Sequence, residues 1–238
     1  MKRTALLLVA AVMAVLVVQW FQVSTAVAAT SATRQICDPN ADFYLGIEDY
    51  PEAVRLHRAF LAKHPDDGLA HYHLGFAYGM LGERSAELRQ YREAVALGLT
   101  HWDLFLNLGL AELENGNLDA AANDFRLSAL LGPNHPESHF NLGLVDERLG
   151  RLTEAEQQML ASLELDPNQV DARNMLGIIY ARLGQKTRAA AEWRALIRDA
   201  PGYGPARANL AILEHRPAVT ASRGGRKVSF TRTEPATR

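Results

Sequence analysis

Residues 105–125, FLNLGLAELENGNLDAAANDF, and residues 139–159, HFNLGLVDERLGRLTEAEQQM, are two copies of one paragraph. Each opens on Asn-Leu-Gly-Leu, places a second glycine seven residues after the first, and runs on into an alanine-containing stretch. The two start points lie 34 residues apart. The same beat extends outward in both directions. His73-Leu74-Gly75-Phe76, Asn107-Leu108-Gly109-Leu110, Asn141-Leu142-Gly143-Leu144, Met175-Leu176-Gly177-Ile178 and Asn209-Leu210-Ala211-Ile212 follow one another at that interval. Three further columns keep phase: Gly82, Gly116, Gly150 and Gly184; His57, Tyr91, Phe125, Met159 and Trp193; and Pro65, Leu99, Pro133, Pro167 and Pro201. A period of this length marks a stacked array of supersecondary units.

The content of one period gives the unit. Across residues 69–81 the apolar side chains recur at helical spacing, and Gly82 then supplies the left-handed backbone that ends a helix. A second periodic run follows, as at 153–165, where Thr153 and Glu156 are placed to form a capping box and Pro167 to stop the helix. Gly75, Gly109, Gly143 and Gly177 fall mid-helix, where glycine costs about 1 kcal/mol relative to alanine. A close approach of two helices compensates. Ala94, Ser128 and Ser162 take the matching inner position of the second helix, near the large Tyr91 and Phe125, and small against large lets antiparallel helices interlock.

On these columns the chain resembles the tetratricopeptide repeat family, whose unit is a 34-residue helix-turn-helix. Four full repeats cover 68–203. Before them, 30–67 holds an N-terminal segment and a partial repeat, whose second helix fits and whose first is short. After them, 204–215 reads as a closing helix, with Ala211 in place of the glycine, and 216–238 as a basic disordered tail with Gly224-Gly225 and one isolated Phe230. The resemblance implies an all-α solenoid of antiparallel helix pairs wound into a right-handed superhelix.

Residues 1–29 stand apart. Lys2 and Arg3 precede an unbroken apolar run over 5–18, and small residues follow at Ala26, Ala28 and Ala29, a pattern that reads as a secretory signal cleaved after Ala28 or Ala29. An uncleaved inner-membrane anchor is the competing reading, since about 18 apolar residues span a bilayer. Both place the body on the outer side of a bacterial inner membrane, periplasmic or secreted. Cys37 is the single cysteine, and Arg34-Gln35-Ile36 before it excludes a lipid-attachment box. Without Lys2 and Arg3 the chain carries −4; residues 216–238 hold six basic side chains against Glu234, a net +5, which leaves −9 for the body. On charge alone the basic tail could meet nucleic acid, but a secreted protein rarely encounters it, so no nucleic-acid partner is expected.

The resemblance also implies a function. A solenoid offers a long curved surface and usually serves as a binding scaffold. In this family the first helices line the concave face, which here gives Tyr72, His73 and Phe76; Leu106, Asn107 and Leu110; Phe140, Asn141 and Leu144; and Asn174 and Ile178 as the groove set. Asn107, Asn141 and Asn209 fall in the column of an asparagine ladder, and His73 and Met175 depart from it. An amide offers both a donor and an acceptor, so such a row can bond the backbone of an extended peptide whatever its side chains. A clamp for a C-terminal carboxylate needs Lys or Arg on these helices, and Asp103, Glu137 and Asp171 stand there instead.

No phosphate-cradling loop, nucleophile motif or zinc-protease helix is present. The pairs His71 with His73 and His135 with His139 lack the third and fourth ligands that zinc requires at any readable spacing, so no metal and no cofactor is expected. The expectation is a non-catalytic adaptor of the cell envelope that binds segments of protein partners. A self-assembling scaffold with a closed groove, a homo-oligomer, is the alternative. A third reading is an accessory protein to a metal- or ligand-dependent enzyme.

Overall fold

The computed structural model describes residues 37–215; the leader and the basic tail of the sequence analysis lie outside this range. Eleven α-helices and no strand occur among the described residues. They are α1 (Pro39–Gly46), α2 (Tyr50–Leu61), α3 (Gly68–Met80), α4 (Arg84–Ala96), α5 (Trp102–Glu114), α6 (Leu118–Leu131), α7 (Pro136–Arg148), α8 (Leu152–Leu165), α9 (Val170–Arg182), α10 (Lys186–Asp199) and α11 (Gly204–His215). The pairs α3/α4, α5/α6, α7/α8 and α9/α10 pack most tightly, and each pair then packs on the next. The result is an all-α solenoid in which contacts reach only near neighbours along the chain.

Each unit turns the same corner for the same reason. Gly82, Gly116, Gly150 and Gly184 have φ of 76°, 86°, 77° and 78°. The following N–H reaches back to a carbonyl in the last turn of the first helix, as Arg151 N does to Asp146 O at 2.8 Å. This is the glycine-dependent helix stop. It also fixes where the next helix starts. At α8 the start is Leu152 with Arg151 as the cap residue, and no side chain caps it, so the capping box expected of Thr153 and Glu156 does not form. The corner has already placed Thr153 inside the first turn.

In the partial first unit the same corner is held by Glu48, with φ of 61°, and Asp49 N bonds Tyr44 O at 2.9 Å. A side chain in the left-handed region costs about 1–2 kcal/mol. Part of that gain is offset by the greater freedom of glycine in the unfolded chain. Glu48→Gly is therefore expected to raise the free energy of unfolding by about 1 kcal/mol, read as a higher urea midpoint at unchanged slope.

Between the two helices of each unit the mid-helix glycine lies under the large residue of the second helix. A Cβ on Gly75 would stand 2.6 Å from the Tyr91 ring, on Gly109 2.7 Å from Phe125, and on Gly177 2.5 Å from Trp193. Ser128 and Ser162 do a different job. The Ser128 hydroxyl donates to the Trp102 carbonyl at 2.7 Å, and that of Ser162 to the Pro136 carbonyl at 3.0 Å, each tying the end of a second helix to the start of a first.

Neighbouring units are joined by arginine–carboxylate pairs: Arg92 with Glu112 at 2.6 Å, Arg151 with Asp119 at 2.7 Å, Arg188 with Glu156 at 3.1 Å and Arg194 with Glu214 at 2.6 Å. The apolar core runs as three abutting clusters along the array. Its two ends are unequal. α11 fully buries only Ala206 and leaves Ile212 60% exposed, whereas α1, eight residues long, buries Ala41, Asp42 and Leu45.

Candidate functional site

The first helices set the asparagine column against the preceding unit with a register of 35 residues. Asn107 on α5 donates from Nδ2 to the Tyr72 hydroxyl on α3 at 3.0 Å. Asn209 on α11 donates to Asn174 Oδ1 on α9 at 2.9 Å. That oxygen also accepts from Trp193 Nε1 at 3.1 Å. Thirty-five residues before Asn141 stands Leu106, whose side chain has no hydrogen-bonding group. Both amide atoms of Asn141 are buried and without a hydrogen-bond partner. Thirty-five residues before Met175 stands Phe140, and both are members of one apolar cluster.

The other groove positions lie along the same line of first helices. Tyr72, His73 and Phe76 on α3, Leu106, Asn107 and Leu110 on α5, Phe140, Asn141 and Leu144 on α7 and Asn174 on α9 are buried, and Ile178 is half-buried. They form a mostly apolar seam in which the free amide is that of Asn141. Met80, at the end of α3, is exposed.

The histidine pairs of the sequence do not converge. His71 shares its Nδ1 with Gln90 Oε1 at 2.7 Å and its Nε2 with the Pro65 carbonyl at 3.0 Å. His139 repeats the first contact two units on, with Gln158 Oε1 at 2.8 Å. His135 stacks on Trp102 with ring centroids 3.5 Å apart.

A different set does converge. Cys37 before α1, Asp42 on α1, His57 on α2 and His73 on α3 place one donor atom each within 4.8 Å of the others, and all four are buried. His73 Nδ1 lies 2.7 Å from Asp42 Oδ1, and Cys37 Sγ lies 3.4 Å from the same oxygen. The thiol is 3.5 Å from His73 Nδ1 and 3.7 Å from His57 Nδ1. The Cys37 N–H donates to Asp42 Oδ2 at 3.0 Å, which aims Oδ1 at the centre. Burial, and then the neighbouring His73, hold the His57 imidazole down to about 4, so it is neutral at pH 7. Burial alone would raise the Asp42 carboxyl, but the His73 hydrogen bond and the two imidazoles outweigh it and hold the group below its ordinary value. Burial, and then the Asp42 charge, push the Cys37 thiol up.

Sequence reasoning missed this cluster because its members come from four separate elements, with intervals of 5, 20 and 36 residues measured from Cys37. The signal available was a pair of departures from the repeat. His57 stands in the column of Tyr91, Phe125, Met159 and Trp193, and His73 in that of Asn107, Asn141 and Asn209.

Comparison with known proteins bears on the whole array. The model of a family described as tetratricopeptide repeat matches residues 81–136, 106–170 and 140–205. Among solved structures, the chain is similar to YrrB, described as a TPR protein with an unusual peptide-binding site, at 22% identity and a TM-score of 0.68, over 76% of this chain and 95% of that one. It is similar to MamA from Desulfovibrio magneticus RS-1 at 18% identity and a TM-score of 0.62, over 71% and 99% of the two chains. A tetratricopeptide repeat protein from Parabacteroides merdae gives 21% identity and a TM-score of 0.65, over 73% and 69%. At these identities the likeness is one of fold. No curated protein matches the chain.

Proposed function

The chain belongs to the tetratricopeptide repeat family and is, as a member, a non-catalytic protein-interaction scaffold, and on that premise we propose that it is an adaptor of the bacterial cell envelope that holds peptide segments of partner proteins along its first helices. The observation that carries this reading is Asn141. Its buried amide has no hydrogen-bond partner, a state that costs about 1–3 kcal/mol. The backbone of an extended peptide supplies one acceptor and one donor per residue, which is what that amide lacks. Tyr72, Phe76, Leu106, Leu110, Phe140 and Leu144 are buried and Ile178 half-buried along the same first helices, while Asn107 is bonded to Tyr72 and Asn174 to Asn209 and Trp193. The peptide-binding site ascribed to YrrB supports a peptide as occupant of such a solenoid. The envelope assignment rests on the charged and apolar leader pattern of residues 1–29, either cleaved or kept as a tether.

The test is photo-crosslinking in cells with the probe at Ile178 and Met80, and at the exposed second-helix positions Gln157 and Arg188 as controls. Adducts to one or a few envelope proteins from the first pair alone are the expected result. Equal or absent crosslinking in both sets overturns the groove, and adducts of the chain with itself identify a self-assembled scaffold. Asn141→Leu removes the orphaned amide at similar volume. It is expected to raise the free energy of unfolding by about 1 kcal/mol while weakening the Ile178 crosslink, a division that a merely structural asparagine would not produce.

A further inference from the structure

We propose that Cys37, Asp42, His57 and His73 form a four-coordinate structural site for one zinc-class divalent ion, which ties the short first helix to the solenoid. The donor set is one thiolate, one carboxylate and two imidazoles, the nitrogen, sulfur and oxygen ligands that zinc takes in closed tetrahedral sites. Their mutual distances suit it. Bonds of about 2.0–2.3 Å at tetrahedral angles put ligand atoms about 3.3–3.6 Å apart. The sulfur stands 3.4 Å from Asp42 Oδ1 and 3.5 Å from His73 Nδ1, and His57 Nε2, 3.7 Å from Asp42 Oδ1, completes a set whose ligand atoms lie within 4.8 Å of one another. The His73–Asp42 edge, at 2.7 Å, is closer because a proton is shared there. An ion in place of that proton spreads this one edge by about half an ångström.

Two observations and the charge balance point to a ligand. First, His57 is fully buried, and its Nε2 has no hydrogen-bond partner, although it faces a carboxylate. Second, charge closes to zero: a divalent ion, the Asp42 carboxylate and the Cys37 thiolate leave no net charge in a site whose side chains are all more than nine-tenths buried. An uncompensated charge there is costly. In the binding step the Cys37 thiol gives up its proton to solvent, and the proton shared between His73 Nδ1 and Asp42 Oδ1 leaves that edge and is replaced by one on His73 Nε2, which frees Nδ1 and the carboxylate for the ion. Third, the orienting contact is in place, since the Cys37 N–H holds Asp42 by its other oxygen. Such outer contacts fix metal-ligating carboxylates.

The location gives the ion a purpose. Elsewhere in the array a glycine and a large side chain lock the two helices of a unit together. In the first unit α1 is short, Phe43 and Ile47 are 59% and 55% exposed, and the large-residue column holds His57. With little apolar surface to bury, the unit is of the kind that small scaffolds secure with a metal. The ion would join the loop before α1, α1, α2 and α3 at one point.

The experiment uses the full chain, stripped with a chelator and titrated with Co(II) and then Zn(II). Uptake of about one Co(II) per chain is expected, with the near-ultraviolet thiolate-to-cobalt charge-transfer band and the intense visible bands of a four-coordinate ion, all lost when Zn(II) displaces it. Stripping should lower the Tm and speed amide exchange in α1, α2 and α3 while leaving α9 and α10 unchanged. His57→Phe and His73→Asn install residues that other units carry at those columns, so they keep the fold and lose the ion; Cys37→Ser loses the charge-transfer band. Sub-stoichiometric uptake, a bound ion without the thiolate band, or retention of the ion by both histidine variants overturns the site. Should a variant fail to fold, the cobalt spectrum and the exchange pattern of the unaltered chain decide alone.

Discussion

Phe125→Ala is expected to lower the free energy of unfolding by about 3–5 kcal/mol, the range for truncating a fully buried aromatic residue. Phe125 has no exposed surface and sits in the middle cluster, with its ring directly over Gly109. The contact gives the prediction a second part. A Cβ on Gly109 would stand 2.7, 2.8 and 3.2 Å from three atoms of that rigid ring. Gly109→Ala alone should therefore cost about 1–3 kcal/mol through overpacking, although alanine is the better helix former by about 1 kcal/mol. In the Phe125→Ala background the same methyl enters the vacated space and helps. The double variant should be more stable than the sum of the two by about 1–2 kcal/mol, measured by urea denaturation; additivity would mean that the pair does not lock the unit. Gly143→Ala is the internal control. Its methyl would meet the Cε of Met159, the free end of a flexible side chain, and should cost distinctly less.

The second large effect concerns pH. Burial, and then the charge of Glu112, push the Asp124 carboxyl up to about 7, and Arg92 opposes them only in part. A carboxyl whose folded value lies above its unfolded value binds more protons when folded. Its contribution to stability is then fully present below about pH 4 and is lost as pH rises toward 7. Discounted for partial exposure, the loss is about 2 kcal/mol. Asp124→Asn should abolish this slope, raising stability at pH 8 by about that amount and leaving it unchanged at pH 4. Parallel denaturation curves at the two pH values check it. An unchanged slope in the variant would assign the pH dependence to other groups.

Most of the array was legible because its determinants are local and repeated. The turn glycines set the corners, and the mid-helix glycines announced the large residues that cover them. The capping box failed because a corner imposed by Gly150 outranks a side-chain cap three residues further on. The asparagine column was visible as a column, but not where its amides lead: Asn107 meets a tyrosine hydroxyl 35 residues back, and the amide of Asn141 meets no hydrogen-bonding group. The buried cluster was illegible for a different reason. Motifs reveal a site when its residues share one helix or hairpin, and here four elements each contribute one side chain, of which only His57 and His73 depart from a repeat column.

The unequal ends of the array bear on how the molecule comes into being. α11 fully buries a single alanine, so the last layer adheres weakly and opens first. The opposite end, with Asp42, His57 and His73 interlocked beneath α1, leaves the ribosome before anything else described here. Each later hairpin then finds a finished surface to condense on, and the polypeptide can assemble in one direction, like masonry laid from a cornerstone.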